Sequence, residues 1–156
     1  GILKMNNLEE VVYKLKKDVF YSTKQFYVTN ISSYVLDKNF KTTWSAEKQS
    51  AYLKSILIGL PTSKFEILVK DNSTIYLLSG KNRFFAIKQF LDNKIILNDD
   101  VYLTELNNIL YSQLPNSLKR EFLLNLENIQ LTSFSSKTVP ILKKIGNKKF
   151  SKVSFY

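Results

Sequence analysis

The 156-residue sequence contains no cysteine and no histidine. These two absences exclude disulfide bonds, Cys/His metal sites, thiol nucleophiles and Ser-His-Asp triads, so any chemistry must use carboxylates, hydroxyls, lysine or arginine. The sequence also lacks an apolar run near the roughly 18 residues that span a bilayer, and it lacks the basic-then-apolar start of a signal peptide. Together these absences favour a soluble, cytoplasmic protein without a membrane partner.

The composition indicates one globular domain with a real core, because 44% of the residues are apolar and 13% are aromatic. The net charge of +10 favours a polyanionic partner such as DNA. A Lys- and Asn-rich composition also arises from AT-rich genomes, so that explanation stays open. The charge is uneven: six lysines and no acidic residue follow residue 136.

We therefore divide the chain into a domain at 1–136 and a basic C-terminal segment at 137–156. That segment is either a solvated end or a nucleic-acid contact. In the second case its binding residues are Lys143, Lys144, Lys148, Lys149 and Lys152, with Phe150, Phe155 and Tyr156 available to stack on bases.

Hydrophobic periodicity predicts both helices and strands within one domain. We expect an amphipathic, core-facing helix over 6–20 and a helix after the N-cap Ser45 that ends at Gly59 and Pro61. Further helices are expected after Gly80 and over 116–128. Strands are expected over 25–29, 64–70, 74–79 and 128–134, the middle two forming a hairpin. Trp44 is predicted to be a core anchor.

The stretch "SGKNR", Ser79 to Arg83, lies between a predicted strand and a predicted helix. A helix N-terminus offers unpaired backbone N–H groups, Gly80 lets an anion approach, and Lys81 and Arg83 add full charges. These features indicate a phosphate-binding loop, although the spacing is neither that of a P-loop nor that of a dinucleotide fingerprint. The alternative is an ordinary cap and turn with two solvated basic residues.

The order of blocks from Trp44 to Phe134 resembles the N-terminal domain of the GmrSD-like type IV restriction proteins, which are related to the ParB and sulfiredoxin folds. The blocks are "WS", a helix ending in "SILIGLP", a strand pair, "SGKNR" before a helix, and "LPNSLKREF" before a strand. The resemblance implies an α+β fold, a ParB/sulfiredoxin-like single domain with a small mixed sheet packed with helices. It also implies that the domain binds, and in some members hydrolyses, a nucleoside triphosphate with Mg²⁺, and that it is tied to defence against phage DNA.

Three departures from the family pattern change what the resemblance implies. The family's Asp-Gly-Gln-Gln-Arg has become Ser79-Gly80-Lys81-Asn82-Arg83, and a serine hydroxyl holds Mg²⁺ or orients water poorly, so hydrolysis is expected to be impaired. A Gln-Arg pair that precedes the family's Trp is replaced by a stretch with Lys41, which supplies charge but no planar fork. Without histidine, the HNH nuclease chemistry of longer family members is impossible.

Acidic residues near the turns are expected to be ordinary turn residues rather than a metal site: Asp71, Asp92, Asp99, Asp100 and Glu105.

Three functions remain open at this point. The first is a DNA-associated binding protein with a nucleotide or phosphate pocket formed by Lys41 and residues 79–83. The second is an active nucleotidase or DNase of the restriction type, so enzymatic activity is undecided. The third is a mobile-element protein that inhibits or regulates a protein partner and leaves the old pocket empty.

Overall fold

The computed structural model describes residues 2–26, 34–36, 39–70, 74–98 and 104–150, with the backbone alone for residues 2–6, 34–35 and 150. In chain order the helices and strands are α1 (Ile2–Lys16), β1 (Tyr21–Gln25), β2 (Tyr34–Val35), α2 (Ala46–Leu57), β3 (Phe65–Lys70), β4 (Thr74–Ser79), α3 (Lys81–Leu91), α4 (Asn116–Glu127), β5 (Gln130–Ser135) and α5 (Val139–Lys144).

The strands form one mixed sheet in the order β1-β5-β3-β4-β2. The expected hairpin of β3 and β4 is antiparallel, and its connecting turn at 71–73 lies outside the described residues. β5 pairs parallel to β3 and antiparallel to β1, while β2 pairs parallel to β4. The predicted α+β class with a small mixed sheet is thereby confirmed.

The main core lies between one face of the sheet and helices α2, α3 and α4. Alternation along β3 directs Phe65 and Ile67 into this core, where they meet Leu53 of α2, Phe84 of α3 and Phe122 of α4. Three aromatic rings join the helices to the sheet, since Phe26 lies 5.5 Å from Phe65 and 6.4 Å from Phe84. This packing holds the β4–α3 junction at one end of the sheet.

The opposite face of the sheet carries a second, smaller core. Leu68 and Leu78 on this face are buried under Val139, Ile141 and Leu142 of α5. The basic residues of α5 therefore sit on a helix whose apolar side is packed against the sheet. The division of the chain after residue 136 stays a prediction.

Helix α2 begins as expected, because the Ser45 hydroxyl accepts a hydrogen bond of 3.1 Å from the Lys48 amide. The expectation for the first helix was wrong in two respects. The helix ends at Lys16 rather than at residue 20, and most of its apolar side chains do not face the core, since Leu8 and Val12 are each 50% exposed while Leu15 packs against the second core. A strand lies at Tyr21–Gln25, and most of the strand expected over 25–29 falls outside the described residues. Within the described residues, none of the helices combines the length and apolar character that crossing a bilayer requires.

Candidate functional site

Gly80 forms the junction between β4 and α3. Its φ of +92° is in the left-handed region that favours glycine, and its carbonyl accepts the first helical hydrogen bond, 2.8 Å from the Phe84 amide. A Cβ at this position would lie 2.4 Å from the Phe65 ring. Glycine is therefore required here by the close packing of Phe65, in addition to the turn that the sequence indicated.

Arg83, one turn into α3, is bound to the protein's own backbone. Its guanidinium donates hydrogen bonds to the carbonyl of Ser63 and, at 3.3 Å, to that of Lys64, and it lies 4.8 Å from the centre of the Phe65 ring. The planar fork of arginine matches two neighbouring carbonyls as well as it matches a phosphate. Arg83 thus holds the segment between α2 and β3 against the start of α3.

Asn82 ties a second loop to the same helix end. Its side-chain oxygen accepts from the Thr42 hydroxyl at 2.8 Å and from the Thr43 amide at 3.0 Å, and its amide nitrogen donates to the Thr43 hydroxyl at 3.0 Å. These bonds place the exposed Lys41, the neighbour of Thr42, beside the N-terminus of α3. The backbone next to Lys41 is thus bonded to Asn82, and the shared binding site of Lys41 and residues 79–83 stays a prediction.

Ser79 is half-buried at the end of β4. The sheet register places it opposite Glu66, a carboxylate that the sequence reasoning did not single out. Glu66 accepts a hydrogen bond from the ammonium group of Lys149 and forms an ion pair with it. The acidic residue nearest to the loop along the sheet is thus already paired.

Aromatic and basic side chains line the neighbouring start of α2. The Trp44 ring lies 5.5 Å from Tyr52 and 5.0 Å from the Lys48 ammonium, and Trp44 is half-buried rather than a full core residue. Burial raises the pKa of the Tyr52 phenol, while its hydrogen bond with Thr62 and the nearby charge of Arg83 lower it by less. Lys41, Lys48 and Lys64 are all exposed at this end of the molecule.

The predicted nucleic-acid contacts of the C-terminal segment are only partly described. Lys143, Lys144 and Lys148 are exposed on and after α5, and Lys149 bridges to Glu66. Lys152, Phe155 and Tyr156 lie outside the described residues, as do Asp71, Asp99 and Asp100. In the part of the chain that the structure describes, no cluster of acidic residues could hold a metal ion.

Two concave surfaces lie elsewhere on the described residues, and neither is lined by residues 79–83. A pocket of about 360 Å³ between the end of α2 and the end of α4 is lined by Pro61, Thr62, Lys64 and Asn128, among others. A groove of about 550 Å³ at the β1 edge includes Phe20, Lys24 and Ser133. The first borders the segment that Arg83 holds.

No family model matches the chain, and no curated protein or solved structure is significantly similar to it. The resemblance to the GmrSD-like family and to the ParB/sulfiredoxin fold accordingly stays a prediction.

Proposed function

We propose that the protein is a DNA-associated binding domain of ParB/sulfiredoxin-like type with a nucleotide or phosphate pocket at the Ser79–Arg83 loop. It hydrolyses a bound nucleotide poorly or not at all. The observation that carries the proposal is the arrangement at the N-terminus of α3. Gly80, with its backbone in the left-handed region, precedes the first turn of α3. The loop that contains Lys41 is hydrogen-bonded to the same helix through Asn82.

We propose different tasks for Arg83 and Lys81, the two basic residues of the motif. Arg83 donates to the carbonyls of Ser63 and Lys64, so it positions the loop rather than offering a second fork to a ligand. Phosphate contacts would then come from Lys41, Lys81 and the backbone N–H groups of the first turn of α3. A nucleoside triphosphate with Mg²⁺ and the DNA backbone share this phosphate chemistry.

Poor hydrolysis is supported by the state of the carboxylates. Ser79 replaces the acid of the family motif, and Glu66, across the strand pair, is bound to Lys149. A carboxylate oxygen that accepts a hydrogen bond from an ammonium group is less available to a metal ion or to water, so neither residue is well placed to activate water. The active nucleotidase or DNase remains an alternative that phosphate release or DNA cleavage would reveal.

The test is a thermal-shift series with ATP, GTP, CTP and inorganic phosphate, each with and without Mg²⁺. A ligand that binds only the folded state raises its apparent stability, by about 2.7 kcal/mol at 100 times the dissociation constant. We expect at least one of these ligands to stabilise the wild type and to lose its effect in Lys41→Ala and Lys81→Ala. Lys94→Ala, an exposed lysine just beyond the other end of α3, is the matched control. Stabilisation by none of the ligands would contradict the pocket.

DNA binding is tested by measuring affinity against salt concentration. Contacts with several phosphates require a steep negative slope of log affinity against log salt, and each lost phosphate contact reduces the slope by about 0.9. We expect Lys143→Ala and Lys144→Ala to reduce the slope and the Lys94→Ala control to leave it unchanged. A flat slope for the wild type would contradict a DNA-binding basic face.

A second candidate function is a protein–protein interaction module that binds no ligand at the loop. It is favoured by the fact that both Asn82 and Arg83 are engaged in bonds within the protein. A protein that shows no shift with any nucleotide, no phosphate release and no salt-dependent DNA binding would support this candidate instead.

A further inference from the structure

Helix α1 carries an apolar stripe that the rest of the described protein covers only at one end. Leu8, Val11, Val12 and Leu15 share a face of the helix, since their spacing follows the helical repeat. Leu15 packs against the second core, as Tyr76 and Phe134 also do. Leu8, Val11 and Val12 are 50%, 45% and 50% exposed. The helix therefore touches the sheet through its last turn and leaves its preceding turns uncovered.

The exposed part of the stripe is continuous, which distinguishes it from a scattered surface leucine. Single exposed apolar residues are normal on protein surfaces, whereas contiguous apolar patches mark interaction sites. An isolated helix of 15 residues is marginal in water, and most helical stability comes from packing an apolar face. A partner along this stripe would supply the packing that α1 lacks.

The charges beside the stripe indicate which partner fits. Glu9 and Lys16 are both exposed and are seven residues apart, so they lie on the same edge of the stripe two turns from each other. Two copies of α1 that pair antiparallel bring Glu9 of each copy toward Lys16 of the other. In a parallel pair this edge of the two helices would lie on opposite sides of the contact, so the Glu9–Lys16 pairs would not form. The charge pattern is thus complementary to itself under a twofold axis.

We propose that α1 is a dimerisation surface and that two copies of this chain associate through antiparallel α1 helices. The apolar stripe provides the buried contact, and the two symmetric Glu9–Lys16 pairs fix the direction of the helices. The proposed phosphate site at residues 79–83 plays no part in this inference, so either proposal can fail without the other.

The first test changes the stripe and measures mass by analytical ultracentrifugation over a range of protein concentrations. The wild type is expected to pass from monomer to dimer as concentration rises, and Val12→Asp is expected to stay monomeric because it puts a charge into the buried contact. Tyr13→Asp is the matched control, since it adds the same charge at the next, 60% exposed position away from the stripe. Both positions are exposed, so both variants should keep the circular dichroism spectrum of the wild type.

The second test reverses the charges. Glu9→Lys and Lys16→Glu each replace two attractive pairs by two repulsive ones and are expected to weaken the dimer about three- to tenfold. The double variant restores opposite charges and should return to within about twofold of the wild type. Glu10→Lys, on the other side of the helix from the stripe, should have no such effect.

Three results would overturn the proposal. These are a wild type that stays monomeric up to about 1 mM, a Val12→Asp variant that still dimerises, and a double charge reversal that fails to restore the dimer. A monomeric wild type whose binding to vesicles of phosphatidylcholine and phosphatidylserine is lost in Val12→Asp would instead assign α1 to a lipid surface.

Discussion

Gly80 is constrained both by its backbone conformation in the loop and by its packing against the core residue Phe65. Its φ of +92° disfavours any side chain, and a Cβ would also collide with the Phe65 ring at 2.4 Å and with the Arg83 guanidinium at 2.9 Å. We expect Gly80→Ala to lower the free energy of unfolding by about 2–4 kcal/mol, from the left-handed backbone and from overpacking together. Urea denaturation measures this loss.

The chain contains its own control for that substitution. Gly146 has a similar φ of +79° but no atom within 4 Å of an added Cβ. Gly146→Ala should therefore lose only the backbone contribution of about 1–2 kcal/mol. Equal losses for the two variants would mean that Phe65 moves aside at little cost.

Arg83 allows a structural role to be separated from ligand binding. If its guanidinium braces the carbonyls of Ser63 and Lys64, then Arg83→Lys should lower the free energy of unfolding by about 1–3 kcal/mol without any ligand, because lysine cannot form both bonds and stack on Phe65. Arg120→Lys, at an exposed position of α4, should change stability by less than about 0.5 kcal/mol. Unchanged ligand-free stability in Arg83→Lys would instead favour a phosphate-binding role for the guanidinium.

Tyr52 should make the free energy of unfolding depend on pH in the alkaline range. Burial raises its pKa in the folded protein, so the folded state holds the phenol proton more tightly than the unfolded chain does. The resulting stability is complete below the unfolded pKa of about 10 and is lost as pH rises through the folded pKa. Between pH of about 9 and 11, Tyr52→Phe should therefore lose less stability than the wild type. Tyr13→Phe, an exposed control, should follow the wild type, and a Tyr52→Phe curve parallel to it would argue against the shift.

At the scale of elements, capping and turn residues in the sequence correctly predicted where helices begin. Ser45 marked the start of α2 because a hydroxyl there satisfies a free amide, and the Gly80 turn marked the start of α3. Periodicity predicted the apolar face of α1 but not its exposure, because a sequence shows which face is apolar and not what covers it. The engagement of Asn82 and Arg83 was missed for the same reason, since their partners lie 19 to 40 residues away.

Helix α5 carries two lysines in its last turn but also packs apolar side chains into the second core. Ile141 is 6% exposed against the sheet, whereas Ile145, at the end of the same helix, is 66% exposed. We expect Ile141→Ala to cost about 2–4 kcal/mol of unfolding free energy and Ile145→Ala to cost less than about 0.5 kcal/mol. Thermal or urea unfolding distinguishes them. If both were neutral, α5 would be a detachable basic end rather than part of the second core.

At the scale of the whole molecule, the net charge of +10 acts against the folded state as well as attracting polyanions. Like charges repel more in the compact chain than in the unfolded one, and salt screens this repulsion, because the Debye length falls from about 30 Å at 0.01 M to about 8 Å at 0.15 M. We expect the urea midpoint of the wild type to rise with sodium chloride over this range. Salt would also weaken the attraction between Lys149 and Glu66, which acts in the opposite direction, but a single ion pair near the surface contributes little.

The size of this salt effect should follow the net charge. Replacing Lys143 and Lys144 by glutamate changes the formal charge by −4, from +10 to +6, at two exposed positions of α5. We expect the double variant to be more stable than the wild type at low salt and to depend less on sodium chloride, since less repulsion remains to be screened. A wild-type midpoint that falls with salt would mean that local attractive pairs outweigh the net repulsion. In that case the lysines would lie far enough apart, or close enough to acidic residues, that their mutual repulsion does not lower the stability of the folded protein.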